Sequence, residues 1–528
     1  MASKTLFKSL VGKLNPHTNA VNEAGGVAYA MSPEQTLAQY AATGCLNSTF
    51  YASADEQLDT VLKLCQTIEP EFIARTAIYA RQSGFMKDMP ALLCAVLSVK
   101  SPGLMAEIFD RVIDDARMLR NFVQIIRSGV VGRKSLGSLP KRMIKQWIEA
   151  RTDDQLFRAS VGNDPSLADV IKMVHPKPAT NSRAALFAYL IGREPAEGSQ
   201  WSTDDLPQLV KEYEAFKRGE TKSVPDVPFQ MLTSLELGAR EWKTIARNAP
   251  WQMTRMNLNT FVRHDVFKGD DGAELIKLIA KRLRDPQAIA RSKVFPYQLM
   301  VAFAQADASV PGEIREALQD AMEIAISNVP AIDGKVYVFP DVSGSMQSPV
   351  TGHRAGATTA VKCVDVAALV AASIVRMNRS AEVIPFSDHV VKCSLNARDS
   401  VMTNATKLSK LPSGGTNCSA PLMELNSRGA KADLIIYVSD NESWVDSVRG
   451  RARGTAVMQQ WQMFKRRSPN AKLVCIDIQP YGTTQAQERQ DILNIGGFSD
   501  RVFDVIAKFA SRSLNADHWV SVIKEVQI

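Results

Sequence analysis

Residues 336–346 read "VYVFPDVSGSM". An apolar, β-rich run ends on an acid, and hydroxyls follow at alternate positions: Asp341, Ser343 and Ser345. A buried strand that stops on a carboxylate and then spaces small oxygen-bearing side chains along a tight loop offers the ligands a hard divalent cation takes. Working outward, "AEVIPFSD" (381–388), "DLIIYVSD" (433–440) and "KLVCIDIQP" (472–480) are further short β-rich runs. Helix candidates lie between and after them at 360–378, 420–428, 455–467 and 485–495. This alternation predicts an α/β domain with a doubly wound, largely parallel sheet. Ligands of such sheets bind at the C-terminal ends of the strands.

Two more loops fall at that edge. "LPSGGTNCSAP" (411–421) is a Gly-rich loop before a helix and carries Thr416, and "YVSDNES" carries Asp440. Asp341, Ser343, Ser345, Thr416 and Asp440 together give two carboxylates and three hydroxyls. Completed by water, that set suits octahedral Mg²⁺ or Mn²⁺, and its low formal charge leaves the cation open to an outside acidic ligand. Catalysis is not expected. His353 and His389 pair with no nucleophile, GxSxG is absent, and "SGGTNCSAP" lacks the lysine of a phosphate-binding loop.

Upstream, residues ~30–330 have a different period. "DEQLDTVLKLCQTI", "EFIARTAIYARQSG" and "AELIKLIAKRLRD" place apolar residues three and four apart, punctuated by Pro70, Pro90, Pro102, Pro140 and Pro286. A stacked helical array is expected, with degenerate helical-pair repeats left open. The stretch 194–228 is polar and reads as an insertion with one short helix. The expected division is therefore 1–330 helical and 331–528 α/β.

The bulk numbers agree with a multidomain protein: 528 residues, 45% hydrophobic and 22% charged. No apolar run reaches the ~18 residues of a membrane span, so no membrane association is expected. The opening "MASKTLFKSLVGKLNP" does not read as a signal peptide. The seven cysteines form no CxxC, as buried thiols of a reducing cytoplasm would.

The net charge of +8 matters less than its distribution. Between Asp115 and Glu149 there is no acid, yet the interval holds Arg117, Arg120, Arg127, Arg133, Lys134, Lys141, Arg142 and Lys145. "RSGVVGRKSLGSLPKRMIKQWIEAR" reads as a Gly/Ser-rich basic loop feeding an amphipathic helix, with Met143, Ile144, Trp147 and Ile148 inward and Lys141, Arg142 and Lys145 outward. Clustered cations on a flexible loop suit phosphate backbones; the competing reading is a solvated helix face. His175, before Pro176, falls where a helix ends. Arg255, Arg263 and His264 make a second basic cluster, and Arg291 with Lys293 a third. Trp147, Trp242 and Trp251 read as core rather than base-stacking platforms.

"DVSGSM", "GGTN" and "VSDNE" resemble, in order and type, the metal-ion-dependent adhesion site of von Willebrand factor A domains. Together with "RQSGFMKDMPALLCAVLS", "RNFVQIIRSGVVGRKSLGSLPKRMIKQWI", "DVIKMVHPKP", "APWQMTRMNLNTFV" and "RSKVFPYQLMVAF", the chain resembles the Ro autoantigen family of bacterial type. The helical part is similar to its TROVE module. One departure is "GNDPSLA" (161–168 region), where the resemblance implies a histidine or basic residue. The resemblance implies a ring of HEAT-like repeats closed by the A domain, binding small noncoding Y RNA outside and single-stranded 3′ ends of misfolded or damaged RNA in its hole. It implies work with an exoribonuclease such as polynucleotide phosphorylase in RNA quality control, maturation or stress response, and no chemistry of its own. On the residues, Arg127, Arg133, Lys134, Lys141, Arg142 and Lys145 are the expected RNA contacts, with His175 and Arg263 behind them. A monomer is expected. The alternative is a metal-dependent protein-adhesion scaffold with no RNA role.

Overall fold

The computed structural model describes residues 17–195, 199, 201–292, 294, 296–326, 329, 332–353, 361–444, 454–497, 499, 501–511 and 518–528. Lys293, of the third basic cluster, lies outside them. The strands in chain order are β1 (Ala20–Val21), β2 (Val27–Ala30), β3 (Val336–Pro340), β4 (Glu382–Val383), β5 (Leu434–Ser439), β6 (Lys472–Asp477), β7 (Thr483–Thr484) and β8 (Ile492–Gly496). The chain divides into two compact units.

One unit is α/β. Its five-stranded sheet runs β4-β3-β5-β6-β8, parallel throughout. Each of β3 and β5 is buried at every position, so both faces of the sheet are covered and the runs are continuously apolar instead of alternating. Tyr337, Phe339, Ile435, Tyr437, Leu473 and Cys475 share one core with Trp461 and Phe464. The helix Cys363–Met377, apolar almost all round, packs on β3 and β5. From β3 the chain moves to β4 on one side and then to β5 on the other. The gap between the ends of β3 and β5 is therefore the switch point of the sheet, the place where such folds bind ligands.

The stretch 485–495, expected as a helix, is corrected: its C-terminal half is β8, paired with β6 from Leu473↔Ile492 to Asp477↔Gly496. "ILNIG" is too short and too buried for its period to separate helix from strand, and the pairing partner decides.

The other unit is helical, with no strand among its described residues. Pro102 and Pro286 each occupy the first position of a helix, as Pro70 does in the α/β unit, and Pro90 and Pro140 lie in first turns, so the prolines open helices rather than close them. Helices pack on near neighbours in sequence: Pro102–Val112 on Ser138–Glu149, Ala116–Ser128 on Leu167–Val174, and Ala239–Asn248 on Gly272–Leu283. The 194–228 stretch holds the one expected short α-helix, Gln208–Lys217. Trp147, Trp242 and Trp251 are all buried.

The boundary at 330 does not match this division. The residues up to Met89 cluster with the α/β unit, as do those from Met322 onward. β2 pairs antiparallel with β7, and Tyr29 joins the core beneath the five-stranded sheet. The helix Pro33–Thr43, opened by a Ser32–Gln35 capping box, packs against β8. Gln39 Nε2 donates to the Gln479 carbonyl (2.8 Å) and the Asp477 carbonyl (3.3 Å), tying the helix to the C-terminal end of β6. Tyr29→Ala is expected to destabilise the α/β unit by about 3–5 kcal/mol, as loss of a buried aromatic does. Chemical denaturation followed by the fluorescence of Trp461 measures it; a change below about 1 kcal/mol would mean the N-terminal segment merely rests on the domain.

Candidate metal centre and nucleic-acid interface

The five expected metal ligands fall on three loops at the switch point. Pairing of Pro340 with Val438 puts Asp341 and Asp440 at the ends of adjacent strands. Asp341 is fully buried and Asp440 is 1% exposed. The Asp341 carboxylate accepts the Ser343 N–H (2.8 Å) and the Ser439 hydroxyl (2.6 Å). Asp440 accepts the Glu442 N–H at 3.3 Å and interacts with the Ser345 hydroxyl. The Ser343 and Ser345 hydroxyls are 3.3 Å apart. The Gly344 N–H donates to the Gly414 carbonyl (2.8 Å), which fixes the Thr416 loop against the DxSxS loop. Ser343, Ser345 and Thr416 are all buried.

Burial first, and repulsion from Asp440 second, push the Asp341 carboxyl up to about 7. Asp440 is raised by burial. Behind them, Glu442 is raised to about 9, by burial and then by Asp440 and Asp477. One oxygen of Glu442 has no hydrogen-bond partner. Like charges packed without water are a cost that a cation would offset. The donor set fits a hard divalent ion: two carboxylates and three hydroxyls, with no soft ligand. Among the described residues no three His, Cys, Asp or Glu side chains group to hold a metal, so a cation here would rest on hydroxyls as much as on carboxylates.

The sequence reading missed Ser439, which anchors Asp341, and Glu442 and Asp477, which surround Asp440. "SDNES" and "CIDIQP" carried these residues, but only the parallel pairing of β5 with β6 brings them together.

In the helical unit the acid-free window forms the end of the helix Ala116–Ser128, a loop, and the helix Ser138–Glu149. Gly129, Gly132 and Gly137 all have left-handed φ (88°, 85° and 70°), so the loop's path needs residues without a Cβ. Met143, Ile144, Trp147 and Ile148 are buried as expected. Arg127, Lys134, Lys141 and Arg142 are exposed and Lys145 half-exposed. None of these five makes an ion pair among the described residues. Arg133 differs: it is half-buried and donates to the Ser98 carbonyl (3.0 Å), holding the loop. His175 is exposed and ends its helix in the left-handed region (φ 49°), a cap position. Arg263 is exposed and bonds Thr260, while His264 stacks on Trp242 with ring centroids 4.2 Å apart. A further basic face was not foreseen. Arg240, Lys243 and Arg247 on one helix and Lys277 and Lys281 on the next line open grooves. Lys243 and Arg247 are neutralised there by Asp271 and Glu274.

With this geometry established, comparison with known proteins is informative. Residues 335–510 match the family model of the Ro60 vWA domain. The C-terminal domain is thus similar to the A domain of Ro proteins. The "RNA-binding protein RO60" of Deinococcus radiodurans is 23% identical over 96% of this chain and 99% of its own length. The protein of the same name from Caenorhabditis elegans is 24% identical over 44% of this chain and 36% of its own. The crystal structure of the Deinococcus radiodurans RO (RSR) protein superposes with a TM-score of 0.61 at 20% identity, covering 92% of this chain and all of that one. The Ro-like fold expected from the sequence, a helical part followed by an A domain, is thereby borne out.

The raised Asp341 carboxyl fixes a pH dependence. In the cation-free protein it is protonated below about pH 7, and a cation must displace that proton. Apparent Mn²⁺ affinity is therefore expected to fall about tenfold from pH 8 to pH 6. Calorimetric titration at the two pH values measures this; equal affinities would mean Asp341 does not bind the ion as a carboxylate.

Proposed function

We propose that this chain is an RNA-binding protein without chemistry of its own, holding RNA on the basic face of its helical unit. The observation that carries the reading is the set of cations without an ion pair among the described residues, Arg127, Lys134, Lys141, Arg142 and Lys145, on one loop and its flanking helices, with glycines shaping the loop. A solvated face of equal charge normally pairs with neighbouring acids, as Lys243 and Arg247 do on the second basic face. The relatives named as RNA-binding proteins support the same reading. The finer reading is that Y RNA and single-stranded 3′ ends of misfolded RNA are the ligands, in RNA quality control or stress response with a 3′-to-5′ exoribonuclease. It rests on the family resemblance, as do a cytoplasmic address and a monomeric state. Mg²⁺ or Mn²⁺ at Asp341, Ser343, Ser345, Thr416 and Asp440 would supply a position for an oxygen ligand from outside. The buried carboxylate pair favours, as the second reading, a metal-dependent contact with a protein.

Filter binding across a salt series tests the first reading. A hairpin with a single-stranded 3′ tail is expected to bind more tightly than the blunt hairpin, with steep salt dependence. Replacing Lys141, Arg142 and Lys145 by glutamine is expected to weaken binding and to lower the log–log salt slope by about 0.7 per lost contact with a single strand. An unchanged slope would return this window to a solvated face. Asp341→Ala, in the other unit, is expected to abolish Mn²⁺ binding while leaving RNA affinity within about twofold; a large RNA defect in the folded variant would show that the two units do not divide the work this way.

A further inference from the structure

The mouth of the metal centre is not built from the A domain alone. The segment 45–53, more than two hundred residues upstream, is stitched to the stretch that follows Ser345. The His353 N–H donates to the Ser48 carbonyl (2.7 Å) and Asn47 Nδ2 to the Thr351 carbonyl (2.9 Å). Gly352 has φ +72°, and a Cβ there would lie 2.8 Å from the Ser48 carbonyl oxygen, so the approach needs glycine. The Tyr481 hydroxyl donates to Thr49 Oγ1 (3.4 Å), and the Tyr51 ring meets that of Tyr481 edge-on at 5.9 Å. So held, the Tyr51 phenol lies within the influence of Ser345 and of Asp440, Glu442 and Asp341.

The facing side carries Trp444. Its backbone N–H donates to the Thr416 carbonyl at 3.3 Å, and a Cβ on Gly415 would stand 2.4 Å from the indole Nε1, so the indole lies directly on the Thr416 loop. Trp444 is nevertheless 43% exposed, and Phe50, ring to ring with Tyr51 at 4.7 Å, is 56% exposed. Two large aromatics thus stand in water beside the residues that would hold the cation. Exposed aromatics at a polar site mark a surface for a partner.

We propose that Tyr51 positions a ligand of the metal centre: its phenol donates a hydrogen bond to a carboxylate entering the cation's open position, while Phe50 and Trp444 hold the apolar flank of the peptide carrying that carboxylate. The inference rests on the metal-centre reading. With the Ser345 oxygen drawn on by a cation, the second oxygen of a metal-bound carboxylate is the acceptor at hand for the Tyr51 O–H. A free small carboxylate would use the phenol and ignore the aromatic rim. The rim therefore argues for an acid borne on a peptide.

Calorimetry on the full chain tests this in two stages. Mn²⁺ is titrated into the native protein and into Tyr51→Phe, which keeps the ring contact with Tyr481. Each Mn²⁺-loaded protein is then titrated with an end-blocked leucyl-glutamyl-leucine peptide, its glutamine counterpart, and acetate. Mn²⁺ affinity is expected to change less than about threefold in Tyr51→Phe, while affinity for the glutamate peptide falls about tenfold or more, the usual worth of a hydrogen bond to a charged acceptor. The native protein is expected to prefer the glutamate peptide to both acetate and the glutamine peptide, and Trp444→Ala to erase most of the preference over acetate. Peptide affinity unchanged in Tyr51→Phe overturns the proposal. So does a parallel loss of Mn²⁺ and peptide binding, which would make Tyr51 a prop for the loop. A native protein that binds Mn²⁺ but no peptide refutes this inference and leaves the metal centre standing; one that binds no Mn²⁺ refutes both.

Discussion

Two carboxylates ending neighbouring parallel strands, both out of reach of water, are the constraint around which the α/β unit is arranged. The register of β3 against β5 makes them neighbours, and that register is held by five consecutive buried pairs. Charges so placed demand donors, and the surrounding loops supply them: the Ser343 N–H, the Ser439 hydroxyl and the Glu442 N–H. The glycines at 414 and 415 let the hydroxyl-bearing loop come close to Ser387 and Asp388 on one side and to Trp444 on the other. A core that tolerates two like charges is costly unless something opposes them. That is the physical case for a cation, independent of any likeness to other proteins.

The basic face obeys a different economy. Its apolar side is a conventional helix stripe, with Trp147 donating to the Ile113 carbonyl (2.7 Å) and fully inside. Its charged side forms no ion pair among the described residues at Arg127, Lys134, Lys141, Arg142 or Lys145. Left-handed glycines give the loop a backbone path that side chains do not dictate, so the cations are presented without being spent on internal contacts. Arg133 is the exception, and its bond to Ser98 shows what such a residue does when the loop needs an anchor.

Much of this was legible in the sequence because it is carried by local pattern. The continuously apolar runs that end on Asp341 and Asp440, and the three- and four-residue period before them, identified the fold class and placed the candidate ligands on loops at one sheet edge. What was not legible depends on pairing across long distances. β8 read as a helix because five buried residues have no resolvable period without their partner β6. The assignment of residues 17–89 to the α/β unit depends on Tyr29, Gln39 and the β2–β7 pair, whose partners lie at the far end of the chain. Tyr51 was invisible for the same reason: nothing around "STFYAS" hints at a metal loop three hundred residues on.

The Gln39–Gln479 bond spans 440 residues of sequence. A ribosome adding roughly 10 residues per second needs on the order of 40 s to make the second partner after the first. Through that interval the helix Pro33–Thr43 can pack on the helices Ala54–Thr67 and Pro70–Gln82 but not on β8, the ring of Tyr29 lacks the core it joins, and the entire helical unit emerges and can fold. The metal centre's mouth is thus completed only once Tyr481 is made and meets Thr49 and Tyr51.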